Sequence, residues 1–348
     1  MTRTLPRLAG ASLLALAALG ASSAAADTVV FVSQGGAYQE AQTKAILDPA
    51  AKALGLTVEQ ESSPDAWPVI KTQGATGAPT WDVVDTTTQD CLRGGAQGLI
   101  EKLDFAQVPN AAKMPDDYKS PYSVAYEFYS SVLAYNKGKF GDHPPRSWAD
   151  FWNVKAFPGT RALRNHPLAT LEAALMADGV APGKLYPLDV DRAFRKLEQI
   201  KPFITAWWTS GGQSAQMLHD GEVDMEMAWN GRVTAVQKDG ADVGYTFNQG
   251  LLQNTSLCIL KNAPHRAAAV RFLNEAIDPR LQAHLPLEIP YGPGNPQAFA
   301  TGIIPAELAA TLPSSPENAA QQAVVSAAWW TSPAGEEALK RWAAFIQK

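Results

Sequence analysis

Only two cysteines, Cys91 and Cys258, occur in 348 residues. That is too few to staple a disulfide-rich scaffold. The pair can bridge or remain as two buried thiols, since both sit on apolar segments far apart in the chain. Charge is sparse as well, at 18% with a net of −5, and lysines and arginines nowhere form a run, so no nucleic-acid partner is expected. His143, His166, His219, His265 and His284 are scattered, three of them beside proline, and read as surface loop residues. No His-Glu-x-x-His and no Gly-x-Ser-x-Gly occurs, which removes two sequence signs of an exported hydrolase. Long apolar runs are missing after the first 26 residues, so no membrane span is expected there.

Those first residues differ from the rest. Arg3 and Arg7 precede an apolar run from Leu8 to Leu19, and small residues end in Ala24-Ala25-Ala26. This pattern predicts a signal peptide over residues 1–26, because the apolar run falls short of the ~20 residues that span a bilayer. Removing it takes away Arg3 and Arg7 and no acid, leaving 27 basic against 34 acidic residues, a net of −7. The mature chain is expected to be soluble, exported to the periplasm and monomeric.

From Thr28 onward, strand-like and helix-like segments alternate. Thr28–Ser33, Leu54–Gln60 and Trp81–Asp85 read as strands, and Gln39–Leu47 and Leu92–Leu103 read as helices. Further strands are predicted over Ser130–Tyr135 and Ser256–Leu260, with an amphipathic helix over Arg266–Ile277. The alternation predicts an α/β fold with parallel strands and helices on the sheet faces. A linker-like composition at Asn136-Lys-Gly-Lys, with Ser147-Trp148 as a helix start, separates a second α/β block. In such sheets ligands bind beyond the carboxyl ends of strands, and pockets favour domain boundaries.

Several strand ends carry residues suited to that task. Gln34-Gly35-Gly36-Ala37-Tyr38 leads from a strand into a helix whose free N–H groups attract anions; the plainer reading is a tight turn. It lacks the third glycine and downstream acid of a dinucleotide fingerprint. Thr86-Thr87-Thr88 offers hydroxyls, or a helix cap. Trp207 and Trp208 are adjacent in a strand, so at most one faces a cleft. Glu222, Asp224 and Glu226 alternate on one face, which reads as a half-exposed strand rather than a metal site. Trp229-Asn230-Gly231-Arg232 ends that strand with a planar cation suited to gripping a carboxylate.

Six segments in register resemble the periplasmic solute-binding proteins of ABC transporters, in the branch of the spermidine/putrescine-binding proteins. They are Trp81-Asp-Val-Val-Asp85, Gly98-Leu-Ile-Glu-Lys-Leu-Asp104, Leu133-Ala-Tyr-Asn136, Ser147-Trp-Ala-Asp-Phe-Trp152, Gly221-Glu-Val-Asp-Met-Glu-Met-Ala-Trp-Asn-Gly231 and Ala269-Val-Arg-Phe-Leu-Asn274. The resemblance implies a type II periplasmic binding protein fold, two lobes each with a mixed, mostly parallel sheet flanked by helices, and a hinge between them. The lobes would comprise 27–135 with 255–305, and 136–254 with 306–348. It also implies delivery of a small-molecule solute to an inner-membrane permease, with no catalysis, cofactor or metal. Carried over by position, the solute would meet Gly35, Gly36, Tyr38, Asp85, Thr86, Thr87, Ser130, Ser131, Trp229 and Tyr291.

Three departures change the expected ligand. Arg232 stands where the polyamine binders have an aspartate, Thr255 stands where they have another, and Asn165-His166-Pro167-Leu168 lacks their acidic pair. A polyammonium ligand beside Arg232 would be repelled. The expectation is therefore a small organic anion, amino-acid-like, opine-like or aromatic, with phosphonates also fitting. Arg232 would hold its carboxylate and Trp229 with Trp207 or Trp208 would wall its apolar part, Trp208 being the choice. Thr86, Thr87, Ser130 and Thr255 would hydrogen-bond the remainder, and Asp85 or Glu127 would take any amine. The rival readings are a polyamine binder, an iron binder using Tyr122, Tyr126 and Tyr129, and an exported hydrolase.

Overall fold

The computed structural model describes residues 1–2 and 27–347, so the proposed signal peptide lies almost wholly outside the described residues. Eleven strands form one sheet: β1 (Thr28–Ser33), β2 (Thr57–Ser62), β3 (Val83–Thr87), β4 (Lys119–Ser120), β5 (Ser123–Asn136), β6 (Arg161–Arg164), β7 (Ala206–Trp208), β8 (Met225–Trp229), β9 (Val243–Ile259), β10 (Gly292–Pro293) and β11 (Ala323–Val324). The main order is β2-β1-β3-β9-β5-β8-β6-β7. Each wing is parallel: β1 with β2 and β3, and β6 with β7 and β8. Helices cover both faces, so β1 buries Val29 to Ser33 without alternation, as parallel strands do.

The two long antiparallel strands β5 and β9 join the wings. Their pairing slips twice. One slip falls between Ala125 and Glu127; at the other, between Ser131 and Leu133, the partner jumps from Leu251 to Thr246. Gln249, inside the second irregularity, adopts φ 59. Its side chain and carbonyl accept the backbone and indole N–H of Trp148 at 3.0 and 2.8 Å, which hold the excursion in place. Both strands are longer than the predicted Ser130–Tyr135 and Ser256–Leu260, because polar residues interrupt their apolar pattern.

Apolar packing divides on either side of this crossing. Phe31, Val83, Ile259, Phe272 and Leu273 anchor one core, with Val32, Cys91 and Cys258 on the other face of the same wing. Trp148, Phe151, Leu171, Phe194 and Trp342 anchor a second, and Val132, Trp208 and Val233 a third across that sheet. Cys91 and Cys258 are buried free thiols, so of the two readings the unbridged one holds here. No described helix is long and apolar enough to cross a membrane.

Helix starts follow side-chain caps. Thr87, Ser147 and Ser210 accept the N–H of Asp90, Asp150 and Gln213 respectively. The predicted Leu92–Leu103 helix is earlier and shorter, Thr88–Ala96, and Ile100 then bridges to Leu260. The acidic alternation also differs. Glu222 is exposed before β8, Asp224 accepts the Thr160 N–H at 2.8 Å, and Glu226 is fully buried beside the Ser214 hydroxyl. No carboxylate cluster able to hold a metal occurs among the described residues.

Candidate ligand-binding site

β3, β5, β8 and β9 bring their polar residues to the region between the cores. Glu127 lies directly opposite Thr255, whose other ladder neighbour is Thr87, while Ser131 pairs with Trp229. Residues facing one another across a ladder share a sheet face. Acid, hydroxyl and aromatic groups distant in sequence therefore converge.

Asp85 is the fixed acid. Its Oδ2 accepts bonds from Ser33 Oγ at 3.0 Å, Tyr38 OH at 2.7 Å and Gln42 Nε2 at 2.7 Å, leaving Oδ1 buried without a partner. Burial pushes its pKa up, and the hydroxyl and amide donors pull it back. Glu127 is 2% exposed and its Oε2 has no partner. Burial and the nearby Asp85 push it well above the ordinary range, opposed by Tyr38 and by the charge of Arg232. Thr255 Oγ1 and Tyr126 OH are likewise buried and unpartnered. Tyr126 and Tyr129 lie along β5 and Tyr122 in the turn before it, none on a helix, and Tyr126 packs in the first core, so the helical spacing that would align the three does not occur.

Opposite the acids stands the Trp229-Asn230-Gly231-Arg232 turn, which opens the helix Asn230–Lys238. Each residue has a job. Asn230 accepts the Ser130 N–H at 2.9 Å and donates to Pro290 O at 2.9 Å, clamping β5 to the chain just before Tyr291. Any Cβ at Gly231 would collide with the Tyr291 ring. Trp229 and Arg232 crowd the space above Gly211, with Cζ3 2.7 Å and Nε 2.9 Å from where a Cβ would stand. Both Trp229 Nε1 and Arg232 Nε are buried without an acceptor. Aromatic rings continue the wall: Trp229 meets Tyr129 at 6.0 Å, Tyr129 meets Tyr291 at 6.2 Å, and Tyr291 meets Tyr38 at 5.8 Å.

The fold of two wings around a site on crossing strands agrees with a family match. The profile of the bacterial extracellular solute-binding proteins covers residues 45–311. The chain belongs to that family. This binding protein is 36% identical over 341 residues to the gamma-aminobutyric acid-binding protein of Pseudomonas aeruginosa, covering 96% of each. Among solved structures it is similar to an ABC transporter substrate-binding protein from Bradyrhizobium japonicum USDA 110, at 71% identity and TM-score 0.91, covering 92% of this chain and 99% of that one. It is also similar to the PBP MotA from A. tumefaciens B6 in complex with glucopine, at 40% identity and TM-score 0.85, covering 91% and 99%. The family members and structural neighbours are transport proteins rather than enzymes.

Several predicted contacts of this binding protein are occupied internally. Trp208 is fully buried, donates to Met227 O at 2.8 Å and stands edge-on behind Trp229 at 5.3 Å, so it props the wall instead of forming it. Trp207 turns away to Trp342 and Phe345. The Thr86 and Thr87 hydroxyls are both taken by Asp90, as the helix-cap reading foresaw for Thr87. Ser130 Oγ donates to Gln322, which uses its proton, whereas Ser131 Oγ only accepts from Gln253 and keeps its own O–H to donate. At the glycine turn, Gly35 and Gly36 take φ 76 and 61, but the Gly35 N–H is used by Gln39 Oε1 at 3.1 Å.

Asp85 and Glu127, the two acids expected to take an amine, lie close enough that Asp85, after burial, raises the pKa of Glu127. His166 is not a surface loop residue: it caps Leu168 N, and burial, then Arg164 and Arg93, push its pKa well below normal. Arg164 itself, at the end of β6, was missed. It ends the four-residue strand Arg161–Arg164, which the apolar pattern does not mark because two arginines flank only Ala162 and Leu163.

Proposed function

We propose that this protein binds a small amino acid in the interlobe cleft, the carboxylate on Arg232 and the ammonium on Glu127, and delivers it to an inner-membrane ABC permease after export by its N-terminal signal peptide. One observation carries the reading. Of the ten buried side-chain polar atoms without a partner among the described residues, five belong to the acids, the threonine between them and the turn: Asp85 Oδ1, Glu127 Oε2, Trp229 Nε1, Arg232 Nε and Thr255 Oγ1. A buried polar atom left unpaired costs about 1–3 kcal/mol, so such a concentration asks for a ligand bearing matching groups. The set holds both donors, on Trp229 and Arg232, and carboxylate acceptors, on Asp85 and Glu127, which suits a zwitterion better than a diamine or a simple acid.

The lobes we assign are 27–135 with 255–305 and 136–254 with 306–348, closing about β5 and β9. Neighbours described as binding gamma-aminobutyric acid or glucopine support an amino-acid-type solute. Calorimetry with γ-aminobutyrate, butyrate and putrescine tests the reading. Binding is expected for γ-aminobutyrate and at least tenfold weaker for the other two; putrescine binding more tightly than γ-aminobutyrate would restore the polyamine alternative and refute it.

A further inference from the structure

Arg164 closes β6, and the chain around it is pinned. Asn165 N–H donates to Trp208 O at 2.8 Å and Asn165 Oδ1 accepts from Trp342 Nε1 at 3.0 Å. Its guanidinium lies 5.2 Å from the Trp229 ring centroid and 5.9 Å from that of Trp208. No ion pair and no hydrogen bond engages that guanidinium among the described residues. The acids nearest in charge are already committed. Asp90 is held by Arg93 at 3.5 Å and by the Thr87 hydroxyl at 2.8 Å, and Asp65 is exposed and accepts the Trp67 N–H. Two guanidiniums therefore lie near the Trp229 indole: Arg164 over its face, and Arg232, whose Nε crowds the same space above Gly211 as the indole edge. One carboxylate needs one such planar fork. Two unpaired forks bordering one aromatic wall leave room for a second carboxylate.

Building on the zwitterion reading above, we infer that Arg164 is a second carboxylate subsite and that the solute is an amino dicarboxylate. The amine stays at Glu127, one carboxylate at Arg232, and the other reaches across Trp229 to Arg164. Cation–π contact with Trp229 positions the guanidinium without neutralising it.

Matched probe pairs test this, each differing by one carboxylate: L-glutamate against γ-aminobutyrate, and 2-aminoadipate against 5-aminovalerate. In the wild-type protein at least one dicarboxylate is expected to bind about tenfold or more tightly than its partner. In Arg164→Met, which keeps the apolar stem, that preference is expected to vanish while monocarboxylate affinity holds. Equal loss for both members of a pair would make Arg164 a prop for Trp229 and overturn the inference, as would an unchanged preference. Should the variant not fold, wild-type selectivity decides: monocarboxylates binding as tightly as dicarboxylates refute this inference alone, whereas no binding by any of the four refutes the zwitterion reading with it.

Discussion

Replacing Glu127 with glutamine separates a binding role from a structural one. The carboxyl is 2% exposed, one oxygen lacks a partner, and Asp85 is close enough to raise its pKa. Without ligand, the ionised group is a liability. Its folded pKa lies above its ordinary value of 4.5, so the stability it contributes is fully present below about pH 4.5 and is lost as pH rises through the folded pKa. Glutamine keeps the shape and cannot ionise. The ligand-free variant is therefore expected to gain on the wild type as pH increases, by about 1–3 kcal/mol at the alkaline end. For a chain of this size that is roughly 2–6 °C in Tm. The same change removes the counter-charge for an ammonium and should weaken γ-aminobutyrate about tenfold to a hundredfold. Differential scanning calorimetry between pH 5 and pH 8.5, with titration calorimetry at pH 7.5, measures both. A variant that is less stable by the same margin at every pH, and binds undiminished, would show that Glu127 is an ordinary core acceptor and refute the reasoning.

Arg232→Ala should abolish measurable carboxylate binding, a loss of about 2–3 kcal/mol or more, while the ligand-free Tm stays within about 1 °C; a surface role for Arg232 would leave affinity unchanged. Gly231→Ala forces a methyl group into the Tyr291 ring, so it should cost about 1–3 kcal/mol of stability by denaturant titration. Burial raises the Cys91 thiol well above its ordinary pKa; alkylation should accordingly be slow in the native protein and modify two thiols after unfolding without reductant, and a bridge would give none.

The wings of the fold were legible because their apolar runs are clean. β1 has no polar interruption, and the Arg266–Ala276 helix repeats Val270 and Leu273 on one face. The centre was harder to read. β5 carries Glu127, Ser130 and Ser131, and β9 carries Asn248, Gln249, Gln253, Asn254 and Thr255. Those residues look like loop composition, yet they sit in mid-strand because the sheet itself crosses the site there. Arg232 was found through its position after a strand. Arg164 ends β6, a strand of four residues with only Ala162 and Leu163 apolar, too short and polar to be marked by its pattern. A sequence cannot reveal internal partners: the Thr86 and Thr87 hydroxyls donate to Asp90 and that of Ser130 donates to Gln322.

Glu127, Ser131 and Thr255 ride on the two strands that also tie one wing to the other. The proposed closure about β5 and β9 would therefore run through the same backbone that carries the acid and the hydroxyl paired with it. Evolution could retune the preferred solute from the Arg164 and Arg232 side, which hangs on helix and strand ends, without altering how the molecule shuts. A change at the slip between Ser131 and Leu133 would alter both at once.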